Sequence, residues 1–178
     1  MRGQLRGTLG LAAVLAALLC SGCGGSGSTS STGSHASGAA STTASTTKAQ
    51  FVAQAEAICR TLSAQEKPLQ ARQEALKGLA PEVADAEFVS IVGKVVAYSQ
   101  TAAGKLQALA RPPGDAQSIE KLLSSFSQET TDVKAIEQAA RKQESTPGEE
   151  AQDALRKTID EHLALAEAYG MKDCIAAE

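Results

Sequence analysis

From Thr47 onward, apolar residues recur at intervals of three and four, and no stretch alternates apolar and polar positions as a strand would. The first stripe runs Phe51, Ala55, Ile58, Leu62, Leu69 and Leu76 and continues through Leu79. It predicts a helix over about 48–78, capped by Thr46 or Thr47. Pro68 lacks a backbone donor, so a kink is expected there, and the unbroken phase of the stripe favours a kink over a stop. A second helix is predicted from Pro81, a residue suited to a first turn, with Phe88, Ile91, Val92, Val95, Tyr98, Leu106 and Leu109 facing inward. Arg111-Pro112-Pro113-Gly114 ends it. Asp115 offers a cap for a third helix with the seam Ile119, Leu122, Leu123, Phe126, Val133, Ile136 and Ala140. The segment Thr146-Pro147-Gly148-Glu149 reads as a capping box for a fourth, over 147–169. Leu155, Ile159, Leu163, Ala166 and Tyr169 form its seam, and Gly170 suits a left-handed cap.

Four amphipathic helices with short connections predict an all-α fold, an up-down-up-down four-helix bundle with a kinked first helix. The first helix, being the longer, is expected to overhang the fourth at the end where the chain enters. That end is preceded by a different kind of sequence. Residues 1–8 carry Arg2 and Arg6 and no acid, and Leu9 to Cys20 is apolar or small throughout. This reads as a signal peptide over 1–22, too short for a spanning helix, which needs roughly 20 apolar residues.

Between residues 24 and 47 every position except His35 is Gly, Ser, Thr or Ala. So little apolar surface cannot offset ordering entropy, so 23–47 is expected to be a disordered tether of roughly 25–30 Å root-mean-square span, and 48–178 one helical domain. The tether's Ser/Thr density also suits an O-glycosylated stalk.

Composition removes several function classes. Without residues 1–22 the chain carries 15 basic and 20 acidic side chains, with no basic run to draw in nucleic acid. There is no Trp and there are only three Phe and two Tyr, which argues against stacking platforms for bases or sugars. Of four cysteines, Cys20 falls in the signal segment and Cys23 at its boundary, leaving Cys59 and Cys174 in the domain. Two thiols outside the cytoplasm favour a disulfide over a reactive pair.

Ser21-Gly22-Cys23 resembles the end of a bacterial lipobox, whose cysteine is diacylated after cleavage and becomes the new N-terminus. The usual Leu three positions before it is Cys20 here, with Leu19 one step further back. Lipidation with palmitate-type chains at Cys23 is the expectation, and ordinary cleavage near Gly22 with free secretion is the alternative. Three further segments fit together. They are Ala55-Glu56-Ala57-Ile58-Cys59, Leu106-Gln107-Ala108-Leu109-Ala110-Arg111-Pro112-Pro113, and Ala168-Tyr169-Gly170-Met171-Lys172-Asp173-Cys174. With them the chain resembles the small, Ala-rich helical lipoproteins of high-GC Gram-positive bacteria. The resemblance spans about 49–175 and implies a cell-envelope location and a Cys59–Cys174 bridge, but no particular activity.

No constellation for catalysis emerges. His162, beside Asp160 and Glu161, reads as a half-buried structural histidine, and neither a haem motif nor a zinc spacing accompanies it. Glu149, Glu150 and Asp153 read as acids favoured by a helix N-terminus rather than a cation site. Asp160 and Glu161 diverge by about 100° around a helix, so they cannot act as a carboxylate pair. Ser90, Ser99, Ser124, Ser125 and Ser127 lie in no Gly-x-Ser-x-Gly context. The sequence therefore predicts no catalytic residue, no cofactor and no metal, hence no enzyme. It predicts an extracytoplasmic, membrane-anchored protein that meets the membrane through its lipid and presents an envelope interaction or structural module to a protein partner. The alternative is a small-ligand binder with an inter-helix pocket lined by Phe88, Tyr98, Phe126 and Tyr169.

Overall fold

The computed structural model describes residues 46–175. The signal segment, Cys20, Cys23, His35 and nearly all of the expected tether lie outside the described residues. The chain forms α1 (Lys48–Ala75), a 3-10 turn (Leu76–Gly78), α2 (Pro81–Gln107), α3 (Ala116–Lys142), α4 (Ser145–Tyr169) and a short α5 (Lys172–Ile175). The fold is an all-α bundle of four long helices, and no described helix is long and apolar enough to cross a membrane.

Side-chain pairs fix the direction of each neighbour. Arg72, late in α1, pairs with Glu87, early in α2; Gly93, early in α2, lies beside Glu137 and Arg141, late in α3; and Tyr169, at the end of α4, bonds Asp115, at the start of α3. In every pair a late residue meets an early one, which makes consecutive helices antiparallel. Thr47 opens α1 with a reciprocal cap, its hydroxyl accepting from the Gln50 N–H while Gln50 accepts from the Thr47 N–H. Pro68 lies inside an unbroken α1; the bond it cannot donate is one of many in a helix of 28 residues.

The helix ends differ from expectation in two places. α4 starts at Ser145, with Glu144 at the N-cap and no side-chain cap bond, so Thr146 forms no capping box. The left-handed Gln143 (φ 57°) turns the chain first, and Glu144 N–H closes back on Ala139 O at 2.9 Å. Pro147 then falls in the first turn, where its missing N–H has no intrahelical acceptor anyway. At Asp115 the helix begins as expected, but the carboxylate makes no cap bond because it is engaged elsewhere.

Two apolar clusters fill the bundle. The larger one combines Phe51, Ala55, Cys59, Leu62, Ala102, Leu106, Ile119, Leu122, Leu123, Phe126, Ala166 and Tyr169 with Met171 and Cys174 after α4. The smaller, at the opposite end, is Val92, Ile136, Ala151 and Leu155, flanked by Phe88, Val133 and Ile159. α1 contributes to the first and not to the second. α1 nonetheless runs the length of the bundle, with Leu69 and Gln73 buried and Arg72 paired with Glu87 of α2 beside the smaller cluster.

Phe51 and Tyr169 meet edge to face at 5.9 Å, and Lys48 Nζ lies 4.2 Å from the Tyr169 ring centre. The start of α1 is therefore flush with the end of α4, and the expected overhang at this end is absent. Gly170 (φ 90°) reverses the chain, with Met171 N–H bonded to Ala166 O at 2.9 Å. α5 then runs back along α1, which is how Cys174 reaches Cys59 about three turns inside it. The two sulfurs lie at disulfide distance, 2.05 Å. Glu56 secures the same segment by accepting from the Lys172 and Asp173 N–H groups at 2.9 and 3.4 Å. Arg60 adds an ion pair to Asp173.

Candidate functional site

The seams of the four helices are interrupted at one level by polar residues. Along α1, positions 55, 59, 62, 66, 69 and 73 keep a strict four-three spacing, and Glu66 occupies one of them. The same spacing places Ser99 on the α2 seam, Glu129 on the α3 seam and His162 on the α4 seam. A polar layer thus forms in the middle of the bundle: half-buried Glu66 and Glu129 meet buried Ser99, and buried His162 takes the matching seam position of α4.

The layer has pronounced electrostatics. Burial pushes the Glu66 carboxyl up to about 8, the neighbouring Glu129 charge adds to the rise, and a hydrogen bond from Ser99 opposes it. Near neutral pH Glu66 therefore holds its proton. His162 is 3% exposed, fully buried rather than half-buried, and burial lowers its imidazole to about 4. Its Nδ1 lies 3.4 Å from Ser125 Oγ, and its ring packs against Phe126 with centroids 5.4 Å apart. The Ser125 hydroxyl donates its one hydrogen to Leu122 O at 2.8 Å, leaving its oxygen as an acceptor toward His162. A serine held by a backbone carbonyl beside a neutral, buried histidine lacks the free hydroxyl and exposed base of an acyl-transfer site.

One turn further along α3, the buried Asp132 carboxylate accepts from Gln128 Nε2 at 2.8 Å and from the Thr158 hydroxyl at 2.7 Å. Gln128 and Thr158 also border an open cleft of about 410 Å³ between α3 and α4, with Glu120, Lys121, Ser124, Ser125 and Glu161. This polar cleft is not the aromatic pocket expected from sequence. Phe126 and Tyr169 are buried in the larger cluster, Tyr98 packs partly against it, and Phe88 flanks the smaller one.

The remaining candidates fall in separate places. Cys59 and Cys174 come together and are both 3% exposed. Asp153 pairs with Arg156 at 3.1 Å, and no group of three or more His, Cys, Asp or Glu side chains that would hold a metal exists among the described residues. Asp160 and Glu161 are exposed. Sequence reasoning passed over Glu66, Glu129 and Asp132, and over Tyr169 as the partner of Asp115. The signal for the first two was present as a gap: each apolar stripe skips one seam position, and a charged residue fills it. The chain matches no protein-family model, and no similar curated protein or solved structure was found.

Proposed function

We propose that this chain is a lipid-anchored extracytoplasmic protein whose helical domain is a non-catalytic module for interaction or structure in the cell envelope. The observation that carries this reading is the Cys59–Cys174 pair, buried at disulfide distance in the larger apolar cluster. Disulfides persist in oxidising compartments, and a signal-like segment ending at Cys23 precedes the domain. The bridge also sits at the end of the bundle where the chain enters, so the opposite end would be the one farthest from the point of attachment. Buried polar side chains are bonded within the bundle, Glu66 with Ser99, Ser125 with the Leu122 carbonyl, and Asp132 with Gln128 and Thr158.

Cell fractionation with labelled palmitate tests the reading. Label is expected on the wild-type chain in the membrane fraction and absent from a Cys23→Ala chain. A cytoplasmic protein with free Cys59 and Cys174 thiols would overturn it.

The α3–α4 cleft favours a second reading, a binder of small polar ligands, because it is roomy and lined by hydroxyl, amide and charged groups. Equilibrium dialysis against a panel of small polar metabolites, repeated with Ser124→Leu to fill the cleft, separates this reading from the first.

A further inference from the structure

The register between α2 and α3 leaves one part of the fold projecting. A Cβ on Gly93 would meet Glu137 Oε1 at 3.0 Å and Arg141 Nη2 at 3.7 Å, so this level of α2 lies beside the last turns of α3. From Gly93, α2 runs back to Pro81, about 18 Å at about 1.5 Å per residue, whereas α3 ends at Lys142, about 2–8 Å on. The α1–α2 hairpin therefore stands about 10 Å, or two helical turns, above the α3–α4 turn. Burial agrees, since no residue from Glu74 to Ser90 is buried. The overhang lies at the pole opposite the disulfide.

This tip carries Leu79, 43% exposed, and Val83, 55% exposed, the exposed large apolar side chains among the described residues. Such residues scattered singly need no explanation, but here both fall on one projecting turn. The charges around them are unbalanced. Arg72 and Lys77 are already paired with Glu87 and Glu74, while Glu82 and Asp85 have no ion-pair partner among the described residues. The tip is an apolar centre with a negative rim.

We infer that the α1–α2 tip is a docking surface for a partner protein that presents an apolar side chain flanked by lysines or arginines. Charge complementarity selects this occupant. A second copy docking through the same turn would set Glu82 and Asp85 against themselves, and an anionic membrane surface would repel them. The inference rests on the reading of the domain as an interaction module and names the face that interacts.

Photo-crosslinking in intact cells tests it, with a photoreactive residue at position 79 or 83 of the full chain and at Ser124 as a control. A discrete protein adduct is expected from 79 and 83 and none from 124, with Lys or Arg beside the crosslinked residue of the partner. The double reversal Glu82→Lys, Asp85→Lys is expected to lower the adduct yield about tenfold, as loss of about 1.4 kcal/mol of binding would. Its melting temperature should fall only modestly, since exposed Glu82 and half-buried Asp85 each give up a helix-dipole interaction of about 0.3–1 kcal/mol, and Glu82→Gln, Asp85→Asn, which should melt closer to the wild type, should lower the yield as well. No adduct, an adduct with lipid or a second copy, a partner site without basic residues, or a yield indifferent to the reversal each overturns the proposal. Fractionating the same cells keeps the two readings apart, since a cytoplasmic protein would sink the anchored location while the adducts still judge the tip.

Discussion

Tyr169 donates its hydroxyl hydrogen to Asp115 Oδ2 at 2.9 Å, which turns the residue placed to cap α3 into a clamp on the end of α4. The two residues are 54 positions apart, and the ring that carries the hydroxyl is itself packed between Phe51 and Lys48. Burial and the Asp115 carboxylate together push the phenol up to about 12, so it stays a donor across the physiological range. Tyr169→Phe keeps the packing and removes the bond; it should cost about 1–2 kcal/mol in denaturant unfolding. Tyr169→Ala also empties part of the core and should cost about 3–5 kcal/mol. Equal losses from the two variants would show that the hydrogen bond contributes nothing beyond the ring.

The polar layer gives stability an unusual pH dependence. Glu66 keeps its proton in the fold up to about 8, against an ordinary glutamate value of 4.5, so its contribution is lost as pH rises from about 4.5 to 8. His162 stays neutral in the fold down to about 4, against an ordinary histidine value of 6.5, so its contribution is lost as pH falls from about 6.5 to 4. Between about 4.5 and 6.5 the two slopes oppose and stability should be nearly level. From pH about 6.5 to 8 only Glu66 acts, and stability should fall by roughly 2 kcal/mol at about 1.4 kcal/mol per unit. Glu66→Gln should abolish that alkaline decline in melting temperature. An unchanged decline in this variant would place its origin elsewhere.

Reduction should weaken the fold without releasing its last segment. The cysteines are 115 residues apart, and closing so long a loop stabilises by about 4–5 kcal/mol in the chain-entropy model. A Cys59→Ala, Cys174→Ala protein should therefore unfold at markedly lower denaturant. Its α5 should still dock, because Met171 is buried and Glu56 holds the Lys172 and Asp173 amides. Hydrogen exchange at those amides should stay slow in this variant and become fast when Glu56→Ala is added.

Two interior glycines of α2 make a controlled pair. Gly104 has nothing within 4 Å of an added Cβ, so Gly104→Ala should stabilise by about 0.5–1 kcal/mol through helix propensity alone. Gly93→Ala gains the same propensity but places its Cβ 3.0 Å from Glu137 Oε1, the atom that accepts from Arg141. That variant should show little or no gain. Equal stabilisation at both sites would mean that Glu137 moves aside at no cost.

The helices were legible in the sequence because their seams are long and Pro81, Gly114 and Gly170 punctuate them well. Two things were not. The polar layer was hidden by reading each seam for its apolar members, so the missing beat between Leu62 and Leu69 passed as a gap rather than as Glu66. The end of the bundle that overhangs was also misjudged, because helix length alone carries no register. The contact of Phe51 with Tyr169 and the reversal at Gly170 supply it, and both are long-range outcomes of packing. Thr146-Pro147 misled for a local reason: a left-handed Gln143 starts the helix earlier than the capping pattern implies.

The return of α5 along α1 also decides how the domain would answer a mechanical pull. Traction arriving at Thr47 would first strain the segment from Lys48 to Ile58, and at Cys59 it would meet a covalent cross-link to the far end of the chain. Beyond that point the polypeptide is a closed ring, so stretching from the entry side has no further free strand to draw out. Tension would instead divide between the two arms leaving the cross-link, and the projecting hairpin would keep its shape while the first turns of α1 yield.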